Sequence, residues 1–359
     1  VWIMAYTTID KPTDYFNTVL YTGSTSAQSI TGVGFQPALT FIKVRSDTAF
    51  GVFQDSVRGA TGTDSYLIIT QAAASDVSDA ITSFDSDGFS LGTDSNDRSN
   101  YASQTHVAWN WKAGTSFSND ASATGIGTID SSGKVDDTGG FSIVSFTGTG
   151  SAGTIKHGLT SAPAWILVKN LSDSGENWVS FHQSLGAGKN QKFNNTEASQ
   201  TTSGSWNDTL PTSSVFSVGS FTNVNKSGGS MIAYCWTEKK GFSKFSQYTG
   251  NGSTDGTFIY TGFKPAWFLI KCNSASEAWE VGDNKRDPFN VVNQILITNS
   301  NGAETTGNTG NRLHCDFLSN GIKLRGNASQ ANQSGSTYNF FAFAESPFVT
   351  STGIPTTAR

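Results

Sequence analysis

Apolar residues fall along this chain in short runs with a period close to two. Phe141-Ser142-Ile143-Val144-Ser145-Phe146, Trp178-Val179-Ser180-Phe181 and Met231-Ile232-Ala233-Tyr234-Cys235-Trp236 place large apolar side chains on alternate positions, and turn residues bound each run. Alternation of this kind predicts strands with two distinct faces. Ala164-Trp165-Ile166-Leu167-Val168 and Ala266-Trp267-Phe268-Leu269-Ile270 are instead continuously apolar, as expected of a central strand covered on both faces. Pro163 and Pro265 stand just ahead of these runs, where a missing amide donor does little harm. Asp87-Gly88 and Asn320-Gly321 each precede another apolar run and read as hairpin turns, because Asn, Asp and Gly tolerate positive φ. The corresponding place in the middle of the chain holds Ser213-Ser214. No long window sustains a helical period, so the prediction is an all-β chain.

The pattern also repeats. An aromatic-Thr-Gly turn occurs as Tyr21-Thr22-Gly23, Phe146-Thr147-Gly148 and Tyr248-Thr249-Gly250. A proline followed six residues later by a lysine occurs as Pro37 and Lys43, Pro163 and Lys169, Pro265 and Lys271, standing 14, 15 and 15 residues after the turn glycine. Near the end of each unit two aromatics sit two apart: Trp109 and Trp111, Tyr234 and Trp236, Phe341 and Phe343. A unit of about a hundred residues is long enough to bury a core of its own, which distinguishes this array from a short-repeat solenoid. The expected organisation is an arm over 1–14, three tandem antiparallel β-sandwiches of jelly-roll or lectin-like type over 15–114, 139–240 and 241–346, and a tail over 347–359. Residues 115–138, rich in Ser, Gly, Asp and Thr, read as a mobile linker that lets the first sandwich sit apart.

Composition narrows the partners. Of the 359 residues 14% are charged, Gly numbers 38 and the net charge is −5. Without a basic stripe the chain lacks the electrostatic drive for binding a phosphate backbone, so nucleic acid is not an expected partner. No run approaches the roughly 20 apolar residues of a spanning helix, and the first residues lack the pattern of a secretory leader; neither membrane insertion nor a visible export signal is expected. Val1 to Ile3 precede Met4, and whether they are native is open. Cys235, Cys272 and Cys315 are odd in number, too few for a disulfide framework, and read as free, buried thiols, with a bridge between Cys272 and Cys315 as the alternative.

Chemistry-bearing motifs are sparse. Gly148, Gly150 and Gly153 spell GxGxxG after a strand, but the residues that follow lead to another strand and not to the helix a dinucleotide requires. His106, His157, His182 and His314 occupy four different places in the repeat, and none has a second ligand at metal spacing. Asp76, Asp79, Asp85, Asp87, Asp94 and Asp97 cluster in the first unit; they could offer oxygens to Ca²⁺ but read as solvated turn residues. Glu277 and Glu280 are three apart, and no alternate-residue carboxylate run of the kind sandwich glycosidases use is present. The expectation is no catalytic residue, no metal and no cofactor.

Binding is better supported. Nine Trp, nine Tyr and 25 Phe exceed the needs of a core, and rings in Ser- and Asn-rich loops are how sandwiches hold sugars. Trp178 and Trp279 recur at matching places and read as core, whereas Trp206-Asn207-Asp208 is unique to the second unit and is the predicted ligand contact. The segment 283–290, with Asp283, Lys285, Arg286 and Asp287, concentrates both charge signs and is the predicted oligomer contact.

Tyr248-Thr249-Gly250-Asn251-Gly252-Ser253, Gly262-Phe263-Lys264-Pro265-Ala266-Trp267, Phe317-Leu318-Ser319-Asn320-Gly321, Ala342-Phe343-Ala344-Glu345 and the closing Pro355-Thr356-Thr357-Ala358-Arg359 resemble a family of uncharacterised virion proteins of marine tailed phages, often labelled tail fibre or structural protein. Phe84-Asp85-Ser86-Asp87-Gly88-Phe89-Ser90-Leu91-Gly92 and Ala108-Trp109-Asn110-Trp111-Lys112 carry the likeness into the first repeat. The resemblance implies a non-catalytic component on the exterior of the virion, in contact with other virion proteins. The expectation is a tail or head fibre or surface appendage, homo-oligomeric and trimeric in the manner of fibres, that adheres to host-surface glycan. A capsid decoration protein and a secreted carbohydrate-active enzyme are the alternatives.

Overall fold

The computed structural model of the chain describes residues 6–60, 66–68, 80–94, 97–306 and 312–357. Val1 to Met4, Asp76 and Asp79 lie outside them. The chain is all-β, as the alternation predicts, and three large antiparallel sheets dominate it. The first sheet lays down, in spatial order, Phe16–Thr22, Thr105–Trp111, Leu39–Val44, Val52–Asp55 and Tyr66–Ile68. The second contains Phe141–Thr147, Ser230–Trp236, Trp165–Asn170 and Val179–His182 in the same order, and the third contains Ser243–Thr249, Thr337–Pro347, Phe263–Cys272 and Glu280–Asp283. In each, an opening strand lies beside the closing strand, the closing strand beside the proline-led apolar run, and an outer strand beyond that. Register agrees as well: Phe16 faces Trp111, Phe141 faces Trp236 and Ser243 faces Phe343. Pro265 sits inside its strand, at a register shift, one of the few places a ladder tolerates a residue without an amide proton.

Each large sheet is covered on both faces, which is why its central strand is apolar throughout. The outward faces pack on small sheets. In the first unit Ile42 and Ala108 meet Ile30, Ile81 and Phe89, and in the second Val144, Ile166 and Ala233 meet Ile155, Phe216 and Val218. The inward faces meet one another. Trp109, Trp111, Tyr234, Trp236, Phe341 and Phe343, the six aromatics of the closing strands, belong to a single buried cluster. The Trp111 ring lies 6.0 Å from that of Trp236 and 5.8 Å from that of Phe343, while Trp165 stacks on Trp236 at 4.0 Å. Each such ring, taken out of water, contributes on the order of 2–3 kcal/mol. The units are therefore not self-contained sandwiches: they share their largest core, and the first does not sit apart.

Specific contacts close the three sheets into a cycle. From the first closing strand, Trp109 Nε1 donates to Asp283 Oδ2 of the third unit at 3.0 Å. From the second, Tyr234 Oη donates to Asp55 Oδ2 of the first unit at 2.7 Å. From the third, the Phe341 ring meets the His182 ring of the second unit edge-on, with centroids 4.9 Å apart. The two carboxylates are wired alike. Asp55 Oδ1 accepts from Val57 N and Arg58 N and Oδ2 accepts from Arg58 Nε, while Asp283 repeats the pattern with Lys285 N, Arg286 N and Arg286 Nε. Where the crossing aromatic has a donor, the outer strand supplies an ion-paired acceptor; where it is Phe341, the outer strand offers His182, with Leu185 in the arginine's place.

Two of the repeated lysines serve the same junctions. Lys43, Lys169 and Lys271 are fully buried. Lys43 Nζ donates to Ser300 O in the third unit at 2.6 Å, and Lys271 Nζ donates to Thr196 O in the second unit at 2.9 Å and to Glu277 O at 2.7 Å. Lys169 Nζ donates to Glu176 O at 2.6 Å. Burial, with Arg286 adding to it, pulls Lys43 down to about 7, and burial pulls Lys169 and Lys271 to about 8.

Residues 115–138 correct the linker expectation. Thr115–Asn119 and Ser131–Asp136 are strands that pair with each other and with Phe141–Thr147, widening the second sheet to eight strands. Between them Ala121–Thr124 forms one helical turn, capped by the Asp120 side chain accepting from Ala123 N. Backbone contact replaces hydrophobic pattern here: a Cβ on Gly133 would stand 1.8 Å from Ile143 O. Lys134 Nζ donates to Ser56 Oγ at 3.0 Å, tying the stretch back to the first unit. At the chain ends Ile9 is buried in the shared core, and Asp10 Oδ1 accepts from Ser351 N at 2.6 Å. Among the described residues no helix is long and apolar enough to cross a membrane.

The cycle gives stability an acid dependence. His182 is buried neutral, and desolvation pulls its pKa to about 3. Unfolded, the imidazole returns to about 6.5, so between these values the unfolded chain holds the extra proton and stability falls as pH falls. His182→Asn should make the decline of stability between pH 6.5 and 4 shallower by about one proton, measured by urea unfolding across that range.

Candidate functional site

The predicted ligand contact breaks up in three dimensions. Trp206 ends a helical turn, Ser203–Trp206, and is 2% exposed, its ring 5.7 Å from that of Phe181 in the outward core of the second unit. It is a core residue and not a contact residue. The reason is local: the small sheet of this unit has two strands, Gly153–Lys156 and Val215–Val218, where the other units have three, and the helical turn fills the space. Asn207 and Asp208 are exposed at positive φ and form the turn that leaves it.

The predicted oligomer contact is an internal one. Asp283 and Arg286 are buried at the junction with the first unit, where the Arg286 guanidinium lies 5.7 Å from the Trp109 ring and donates to Glu304 Oε2 at 3.0 Å. Glu304 in turn forms a bidentate pair with Arg45 of the first unit. Asp287 Oδ2 accepts from Asn293 N and Gln294 N, and Lys285 is exposed. Both charge signs were legible in this segment, but the partner is another part of the same chain.

Other sequence candidates have definite places in the fold. The three cysteines are free and buried. His106 and His157 are buried, and desolvation holds both near 4. Asp94 accepts from Arg98 N and Ser99 N. Among the described residues no group of three His, Cys, Asp or Glu side chains could hold a metal ion. Gly148, Gly150 and Gly153 lead into the strand Gly153–Lys156 and not into a helix.

The three small sheets differ at one place that alternation along a single run does not reveal. The edge strands Gln28–Thr31, Gly153–Lys156 and Phe258–Tyr260 are equivalent, because Ile30, Ile155 and Ile259 occupy the same inward position opposite Phe89, Phe216 and Ile322. The flanking outward positions hold Ser29 and Thr31 in the first unit and Thr154 and Lys156 in the second. In the third they hold Phe258 and Tyr260, 44% and 56% exposed. An exposed aromatic pair on one copy, where the other copies are polar, is not a demand of the fold.

Tyr260 opens onto a cleft of about 380 Å³ at the junction of the second and third units. Tyr6, Glu238, Lys240, Gly241, Lys244 and Gly262 line it with Tyr260. Tyr6 arrives from the N-terminal arm and donates to Gly262 O at 2.6 Å. Gly262 is at φ +81°, and a Cβ there would stand 2.8 Å from the Tyr6 hydroxyl, so glycine keeps the floor open. Lys240 Nζ stands 4.6 Å from the Tyr6 ring centroid, and Phe348 of the tail braces the other edge at 6.3 Å. Burial, with Tyr260 beside it, pushes the Tyr6 phenol up to about 12, and its proton is held on Gly262 O. Glu238 is held by Phe245 N at 2.8 Å and by Lys244 at 3.3 Å. Aromatic faces, a fixed phenol and flanking ammonium donors are groups by which a shallow site holds a hydroxylated ring.

Antiparallel sheets packed around a common aromatic core, with a ring-lined cleft at a junction, define the class of protein. The family described as "Domain of unknown function (DUF7483)" matches residues 11–347, and the chain belongs to that family. No curated protein matches the sequence.

The two tryptophan and tyrosine assignments separate in a stability experiment. Trp206→Ala should cost about 3–5 kcal/mol in urea unfolding, as for a large core side chain. Tyr260→Ala should stay within about 0.5 kcal/mol of the parent, as for a surface position.

Proposed function

We propose that the protein is a non-catalytic structural component of a phage particle, displayed on its exterior as a tail or head fibre or surface appendage, and that it attaches to host-surface glycan through the cleft at Tyr6 and Tyr260. The carrying observation is the exposed pair Phe258 and Tyr260 on the third unit, at positions where the sister copies are polar. The resemblance of the repeat motifs to virion proteins supports the placement on a particle. Rigidity supports it as well: the units share one core and are cross-tied at each junction, which suits an element that must hold its shape under load. The threefold arrangement that fibres commonly obtain from three chains is supplied here by three sheets of one chain, so a trimer is not needed to complete this core. Attachment through one shallow site is weak, and many copies on one particle would sum through effective concentration.

Immunogold labelling of intact particles, together with retention of the purified chain on immobilised host polysaccharide, tests the reading. Label at fibre or appendage positions with retention that is lost in Tyr260→Ala is the expected result. Label spread evenly over the capsid with no retention would favour decoration of the head, and release of sugar from the polysaccharide would favour an enzyme.

A further inference from the structure

Resting on that reading, we infer that the cleft at Tyr6 and Tyr260 takes an acidic saccharide, one bearing carboxylate or sulfate groups, in preference to a neutral one. The argument is the local charge. The whole chain carries a net charge of −5, but this cleft is lined by Lys240 and Lys244 against the single carboxylate Glu238, two cations less one anion. Glu238 is already engaged by the backbone amide of Phe245, by Gln183 and by Lys244. Lys240 is exposed and has no carboxylate partner among the described residues; its ammonium is held over the Tyr6 ring. A cation on an aromatic face is positioned without being neutralised, so it remains available to an anion on a sugar lying against Tyr260.

A second junction cleft sharpens the contrast. The cleft of about 480 Å³ between the first and second units also pairs a tyrosine with a lysine, Lys112 Nζ lying 5.5 Å from the Tyr15 ring centroid. Its rim carries Asp136 and Asp137, and Lys239 stands 3.8 Å from Asp137, so two cations there meet two carboxylates and no net positive charge is left for an anion. The two clefts have similar aromatic chemistry and a different charge balance. Only the one with exposed Tyr260 combines a stacking face with a net positive rim, and the terminal arm and tail that supply Tyr6 and Phe348 fix its shape.

The test uses the full chain and three polysaccharide probes: polygalacturonate for carboxylates, dextran sulfate for sulfate esters, and unmodified dextran as the neutral control. Titration calorimetry or biolayer interferometry should show binding to one or both acidic probes, and which of them binds identifies the anion. That binding should weaken by about tenfold in Tyr260→Ala and at least as much in Lys240→Glu, while Asp137→Lys at the other cleft leaves it unchanged. Dextran bound as tightly as the acidic probes, with Lys240→Glu silent and Tyr260→Ala damaging, would overturn the acidic preference and leave glycan attachment standing. Acidic probes bound equally by parent and Tyr260→Ala would reduce the effect to diffuse charge and overturn the site. Failure of all three probes to bind would overturn both this inference and the attachment reading.

Discussion

The fold depends on a single repeated constraint: an aromatic side chain from each closing strand must cross into the neighbouring unit and be met there by the end of an outer strand. Trp109 reaches Asp283, Tyr234 reaches Asp55 and Phe341 reaches His182, so the first unit leans on the third, the second on the first and the third on the second. No unit can be removed without exposing an inward face on the other two. The chemistry at the three crossings is matched locally. An indole N–H and a phenol O–H each find a carboxylate that is ion-paired to an arginine, and the phenylalanine, which has nothing to donate, finds a neutral imidazole. A carboxylate in place of His182 would be buried without its arginine or its donor, which is a costly arrangement. Buried ion pairs contribute little net stability against well-packed apolar groups; here they fix which face of which sheet meets which neighbour.

From this follows a division between inside and outside. Inward positions keep their character across the units: the paired rings, the proline-led apolar strand and the buried lysine. Outward positions on the small sheets differ, and the difference runs from Ser29 and Thr31 through Thr154 and Lys156 to Phe258 and Tyr260. A recognition site can arise on one copy without cost to the core because the outward face of an edge strand carries no packing duty. The same logic places clefts at junctions, where two units and a terminal arm bring together groups that no single unit supplies.

Much of the fold was legible in the chain and much of the site was not, for reasons that are physical. Period-two runs, Asp-Gly and Asn-Gly turns, and prolines ahead of apolar strands report local backbone geometry, and they led correctly to an all-β architecture. The paired aromatics were visible too, but a strand covered on both faces gives no sign of which neighbour its rings will meet, so a core shared by three sheets was invisible. Residues 115–138 were missed because their strands are held by backbone pairing and close approach at Gly133, which leave little hydrophobic signature. Trp206 misled because its uniqueness to one unit suggested function, when it compensates for a strand that this unit lacks. Asp283 and Arg286 carry the charges expected of an oligomer contact, but they are buried against other parts of the same chain. Tyr260 could have been found by lining up Ile30, Ile155 and Ile259 and asking what flanks each of them.

The account stands or falls on whether the three sheets are one cooperative body. Native-state hydrogen exchange of the intact chain, read at the outer strands Val52–Asp55, Val179–His182 and Glu280–Asp283, addresses this directly, because amides protected by a common core open together. The account predicts that the most protected amides of all three strands exchange at the same opening free energy and respond equally to added denaturant. A unit whose outer strand opens separately, several kcal/mol below the other two, would contradict it.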